Sequence, residues 1–182
     1  MSVDSQAVLY SEGKNDECYT PAYAVRPLLE FLPSDWVVWA PFDTEASQFV
    51  QVLGEHNRVI CSHIAQGQDF YEYEPTEHWD ALISNPPFTR KRQIFERALS
   101  FGKPIALLMS MVWLNDKYSG WVFYEAGRQM QLLKFDKRIY YEVNGVTRTD
   151  ITFASGYYCS DFLPRDIVLR KLRRDGQIKL PL

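Results

Sequence analysis

Trp36-Val37-Val38-Trp39-Ala40 is a run of apolar residues closed by Pro33-Ser34-Asp35 before it and Pro41 after it. A short run without alternation reads as a strand buried on both faces, the state of strands in a parallel sheet with helices on each side. Ala81-Leu82-Ile83 and Lys103-Pro104-Ile105-Ala106-Leu107-Leu108-Met109 read the same way. Between these runs, Gln48-Phe49-Val50-Gln51-Val52-Leu53 has helical spacing, and Ile94, Phe95, Ala98 and Leu99 form an apolar helical stripe. Arg58 to Ile64 is expected to be the second strand, with Gly54 ending the helix before it.

Strands alternating with helices predict an α/β, doubly wound and mostly parallel sheet of the Rossmann-like kind. Further on, Trp121 to Gly127 is expected to be helical, and Leu132 to Phe135 and Arg138 to Glu142 alternate like strands. Gly156-Tyr157-Tyr158-Cys159 with Ile167-Val168-Leu169 is expected to close the sheet as a terminal antiparallel hairpin. Ahead of the first strand, Thr20 is placed to cap a helix whose first turn holds Pro21, and Pro27 to start a second short one. The expected organisation is a polar lead-in over 1–17 and one domain over 18–182, with no linker, no internal repeat and no separate target-recognition domain.

Composition narrows the classes of function. Among 182 residues no apolar run is long enough to span a bilayer, and Met1-Ser2-Val3-Asp4-Ser5 has neither the basic start nor the apolar core of a secretory signal. Cys18, Cys61 and Cys159 are odd in number and widely spaced, which fits neither a zinc pattern nor a disulfide framework. A cytoplasmic protein with free thiols, no metal and no membrane contact is expected. A net charge of −3 argues against indiscriminate polyanion binding and leaves room for local basic patches. Aromatic content of 15% suits an aromatic core and base stacking alike.

The chemistry is concentrated in Ser84-Asn85-Pro86-Pro87-Phe88, directly after a buried strand. The side-chain oxygen of Asn85 and the backbone carbonyl of Pro86 are two acceptors, and consecutive prolines restrict how the backbone presents them. Two acceptors hold both hydrogens of an exocyclic NH2, take the nitrogen lone pair out of ring conjugation and aim it at an electrophile. Phe88 offers a face on which a planar base can stack. A rigid Pro-Pro turn after a strand fits the same residues without any chemistry.

Asn-Pro-Pro-Phe at the end of a strand resembles the catalytic motif of the amino-methyltransferases that use S-adenosylmethionine (SAM), in their adenine-N6 branch. Other segments resemble the same family in the same order. Tyr19-Thr20-Pro21 is similar to the helix start that lies over the methionine end of the cofactor, and Pro41-Phe42 to the Pro-Phe of the loop after the first strand. That loop lacks the glycines most SAM enzymes carry. Trp-Ala-Pro-Phe-Asp-Thr-Glu resembles a small set of phage and prophage adenine methyltransferase-like proteins that dispense with them, and there Asp43 is implied to accept from the cofactor's methionine part.

Where the family places an acidic residue on the ribose, this chain has Ser62-His63, which hydrogen-bond a hydroxyl without supplying charge. A lone histidine also serves purely structural roles. Asp69-Phe70 matches the pair that receives the adenine ring, Asp69 taking its amino group and Phe70 packing on it.

The resemblance implies a class I methyltransferase fold, SAM as cofactor and transfer to adenine N6, in DNA rather than RNA, by a small protein whose selectivity comes from the loops near Thr89 to Arg92 and Trp113 to Tyr118 or from a partner, a second copy or a recognition subunit. Arg90, Lys91 and Arg92 open the helix after the motif against its dipole, as phosphate contacts or as a solvated basic turn. Trp113, after the next strand, is a further candidate nucleic-acid contact. The basic tail Arg170-Lys171-Leu172-Arg173-Arg174 fits a phosphate contact or a solvated strand end. An RNA adenine, a protein glutamine amide, or a non-catalytic binding subunit or inhibitor with the same fold are the alternatives.

Overall fold

A computed structural model of the chain describes residues 19–143 and 146–173. The lead-in expected over 1–17, Cys18 and Arg174 lie outside the described residues.

Chain entry is a single turn of helix, α1 (Ala22–Val25), then a 3-10 turn over Arg26–Glu30 with Pro27 near its start. β1 (Val37–Ala40) leads through the loop Pro41 to Ser47 into α2 (Gln48–Leu53), which Ser47 caps by accepting from the Phe49 N–H at 3.2 Å. β2 (Arg58–Cys61) follows, then a long loop, then β3 (Ala81–Ser84), α3 (Lys91–Ser100) and β4 (Ile105–Ser110). A 3-10 turn over Met111–Asn115 precedes α4 (Lys117–Glu125) and β5 (Gln131–Phe135). A small hairpin of β6 (Glu142–Val143) and β7 (Val146–Thr147) stands apart, before β8 (Ser155–Ser160) and β9 (Ile167–Arg170).

The main sheet has the order β2-β1-β3-β4-β8-β5-β9. β1 pairs in parallel with β2 and β3, β3 with β4, and β5 with β9; β8 alone runs against its neighbours β4 and β5. The mostly parallel, doubly wound sheet is as the apolar runs predict. Its antiparallel end is built differently from a hairpin of the last two strands. β8 is inserted between β4 and β5, and β9 pairs with β5. Of the strand expected over Arg138 to Glu142, only Glu142 is in a strand, and the expected helix at Trp121 begins earlier, at Lys117.

Side chains on β8 show how the layers are arranged. Neighbouring strand residues face opposite sides of a sheet. The ring of Tyr157 meets Phe49 of α2 and its hydroxyl donates to the Ala24 carbonyl of α1 at 3.0 Å, whereas Tyr158 meets Phe95 of α3 and Trp113. α1 and α2 therefore cover one face, α3 and α4 the other. Ile94, Phe95, Ala98 and Leu99, the stripe predicted from spacing, are all buried. No helix among the described residues is long and apolar enough to cross a membrane.

Gly156 leaves no room for a side chain in β8. A Cβ there would stand 2.8 Å from the Leu133 carbonyl oxygen and 2.8 Å from the Met111 sulfur. The backbone oxygen on β5 has nowhere to go without breaking register. Gly156→Ala is expected to destabilise the protein by roughly 1–3 kcal/mol, the usual cost of overpacking, seen as a lowered chemical-denaturation midpoint with an unchanged slope. An unchanged midpoint would mean that β8 is not held between β4 and β5.

Candidate active site

β1 and β3 are adjacent, but the chain leaves β1 towards β2 on one side and reaches β3 on the other. Such a switch point opens a crevice at the carboxyl ends of the two strands, where open α/β sheets take ligands. Here the crevice is bridged by one side chain. Asp43, in the loop after β1, accepts a hydrogen bond from the Ser47 hydroxyl on one carboxylate oxygen and from the Ser84 hydroxyl on the other. Ser84 is the last residue of β3 and the neighbour of Asn85, so Asp43 ties the loop after β1 to the Asn-Pro-Pro-Phe segment.

Asp43 is buried, and burial pushes its carboxyl up to about 6; the two serine hydrogen bonds and the nearby His63 pull the other way without overcoming it. Among the described residues no cation is hydrogen-bonded to it; its side-chain hydrogen bonds come from the two serine hydroxyls.

Asn85 is half-buried, but its Oδ1 is fully shielded from solvent and has no hydrogen-bond partner. Buried acceptors are nearly always paired, and an orphan requires an explanation in strain, ligand or function. Pro86 beside it is buried and Pro87 exposed. The Thr20 hydroxyl is a second buried orphan. Thr20 does not cap α1, since Pro21 is the N-cap residue and no side chain bonds the first turn.

Several residues singled out from the sequence are committed to the protein's own packing. Phe88 is 5% exposed and packs edge-on against Phe153 at 5.8 Å, so it anchors the loop and has no free face for a base. Ser62 is fully buried and its hydroxyl accepts from the Trp39 indole N–H at 2.9 Å, which removes it from ribose binding. Phe70 is 3% exposed, lying between Trp39, Phe42 and Tyr71, and is a core residue rather than a platform for an adenine ring. Trp113 is likewise enclosed by Phe95 at 4.6 Å and Tyr158 at 5.2 Å, out of reach of any nucleic acid.

The remaining residues vary in exposure. Phe42, His63 and Asp69 are half-buried; His63 Nδ1 accepts from the Ala65 N–H at 3.2 Å, and Asp69 accepts from the Tyr71 N–H at 3.0 Å. Tyr19 is exposed and joins Glu142 through paired backbone hydrogen bonds. Pro21 is half-buried and Pro41 buried.

The basic turn is ordered by aromatic rings. Arg90, with a left-handed backbone at φ 57°, places its guanidinium over Tyr71 at 4.4 Å, so Tyr71 and not Phe70 is the accessible ring next to Asp69. Arg90 also takes the N-cap position of α3, with no side chain bonded to the first turn. Arg92 bonds Glu96 one turn on at 2.6 Å and lies over Tyr118 at 4.8 Å. No acidic residue offsets Lys91 and Arg92 in the first turn of α3. Cys61 is half-buried and Cys159 buried, both free, with burial pushing both thiols up.

This sheet order, with one reversed strand near its end and a crevice at β1 and β3, is the class I methyltransferase fold. A protein from Listeria monocytogenes described as a class I SAM-dependent methyltransferase shares it with a TM-score of 0.53 at 12% identity, over 92% of this chain and 70% of that one. A precorrin-6y C5,15-methyltransferase from Geobacter metallireducens GS-15 aligns with a TM-score of 0.45 at 13% identity, over 80% of this chain and 94% of that one. No protein-family profile matches the sequence, and no curated protein matches it.

Proposed function

We propose that the protein transfers a methyl group from SAM to the exocyclic N6 amine of adenine in DNA. The observation that carries this reading is the orphaned Oδ1 of Asn85, a buried acceptor at the crevice edge of a methyltransferase fold. An amine donating one N–H to Asn85 Oδ1 and the other to the Pro86 carbonyl would satisfy it. The nitrogen lone pair is then free to attack, with no charged base needed beforehand. Bound there, SAM would supply a methyl on a sulfonium, so that the N–C bond would form as the S–C bond broke and the extra amine proton would pass to water.

The buried, unpartnered Thr20 hydroxyl fits a polar cofactor. Thr20, Phe42, His63 and Asp69 are the residues this reading assigns to hold it, with Tyr19, Pro21 and Pro41 shaping the edge and Asp43 fixing the loop. Arg90, Lys91 and Arg92 are assigned to phosphate, and DNA is preferred over RNA on the sequence resemblance alone. Selectivity would come from the 89–92 loop, from a second copy or from a recognition subunit.

Labelled methyl transfer from SAM to unmethylated DNA, with RNA and protein in parallel, tests the proposal. Label in DNA adenine supports it, and label only in RNA or in a glutamine amide redirects it. One observation favours a second reading: Ser62, Phe70 and Phe88 are closed off by the protein's own side chains. A non-catalytic binding subunit would show no label in any acceptor and no heat on titration with SAM.

A further inference from the structure

We infer that the outer face of α4 is a stacking platform for the single-stranded nucleic acid flanking the target base. The inference rests on the proposed nucleic-acid acceptor and extends it to a surface away from the crevice. Trp121 is 48% exposed and Tyr124 75% exposed, with their rings 5.9 Å apart and inclined by 33°. They stand three residues apart, as do Tyr118 and Trp121, so each ring neighbours the next and the three wind across one side of the helix.

The strip begins at the proposed catalytic edge. α3 and α4 start beyond the carboxyl ends of β3 and β4, which are neighbours in the sheet, and Arg92 of α3 lies over Tyr118 of α4 at 4.8 Å. At about 1.5 Å per residue the rings extend roughly 9 Å along the helix, room for two or three bases at about 3.4 Å each.

Tyr118 carries two cations, with Arg92 and Lys117 each at 4.8 Å from its centroid. The rings offer a base its π-face, and the two cations beside Tyr118 reinforce that contact. Acidic groups are close as well: Glu96 pairs with Arg92, Asp116 caps α4 and Glu125 ends it. Local charge is therefore nearly balanced, and attachment by stacking with little salt dependence is what this surface supports.

Trp121 also reports on its own environment, because Trp39, Trp79 and Trp113 are buried and Trp36 is half-buried. A short single-stranded oligonucleotide titrated without methyl donor is expected to quench the tryptophan fluorescence. In a Trp121→Ala, Tyr124→Ala double variant the affinity, read from the anisotropy of a dye-labelled oligonucleotide because the reporting tryptophan is gone, should fall about tenfold or more, and Trp121→Phe, Tyr124→Phe should recover most of it. Both variants change surface positions, and their melting curves check folding.

Unchanged affinity in the alanine variant overturns the platform. So does concentration-dependent dimerisation of the wild type that the alanine variant loses while still binding the oligonucleotide, since the occupant is then a second copy of the chain. The same titration on Asn85→Ala separates the two proposals: loss of transfer with full quenching concerns the catalytic motif and leaves the platform intact.

Discussion

Asn85→Ala is expected to lower methyl transfer by about 10³-fold while leaving the affinity for SAM within a factor of about two. The size follows from what the side chain is assigned to do. Asn85 Oδ1 is a buried acceptor with no partner in the protein, so it is held ready at a desolvation cost that a substrate amine would relieve. Removing it leaves the Pro86 carbonyl to hold one hydrogen, and nothing then keeps the lone pair out of ring conjugation. Because the contact strengthens as the nitrogen gains positive charge, the loss should fall on kcat rather than KM. Asn85→Asp restores an acceptor and should recover part of the rate. Transfer within tenfold of wild type in Asn85→Ala would remove Asn85 from the chemistry. Loss of SAM binding in the same variant would make it a structural residue of the crevice.

How much of this was legible in the sequence depends on the range of the interactions. Strands β1, β3 and β4 were visible because full burial on both faces leaves a continuous apolar run, and α3 because its stripe is a local period. The Asn85 segment was visible because two prolines after a strand are a local constraint on the backbone. What escaped were contacts set by tertiary packing. Nothing near Ser62 announces that the Trp39 indole, from the neighbouring strand, takes its hydroxyl. Trp113 sits in a 3-10 turn too short to show periodicity, and an aromatic residue there reads equally as core or contact until Phe95 and Tyr158 close on it. Trp121, buried in no such cluster, gave no different signal. β8 and β9 carry the patterns of strands, but pattern does not name a partner, and the insertion of β8 between β4 and β5 is a long-range choice. Asp43 was marked by the Pro-Phe before it, and its link to Ser47 within one helical turn lies inside local reach. Its link to Ser84 joins two loops that only the sheet order brings together.

That link makes Asp43 the other position where a single change should have a large effect. Its carboxyl is raised from the ordinary 3.8 to about 6 in the folded protein. Between those two values the folded state holds the proton more tightly than the unfolded chain, so stability falls as pH rises through the window. Above about pH 6 the loss is complete and amounts to about 3 kcal/mol, from 1.36 kcal/mol per unit. Asp43→Asn keeps an acceptor for one serine and offers an N–H to the other, while removing the buried charge. It is expected to stabilise the protein by about 3 kcal/mol at pH 8 and to leave stability nearly unchanged at pH 4, read from denaturant midpoints at the two pH values. Cys61 and Tyr157 also lie in the field of this carboxylate, and burial pushes both up, so both are expected to stay neutral across the window. A carboxylate kept ionised at neutral pH at that cost has a reason to be there if a cation arrives beside it. In the proposed reaction the donor is a sulfonium, so SAM affinity should rise from pH 5 to pH 7 in the wild type and lose that dependence in Asp43→Asn. A variant destabilised equally at pH 4 and pH 8 would show instead that Asp43 acts only through its hydrogen bonds, as a brace between the β1 loop and the strand that carries Asn85.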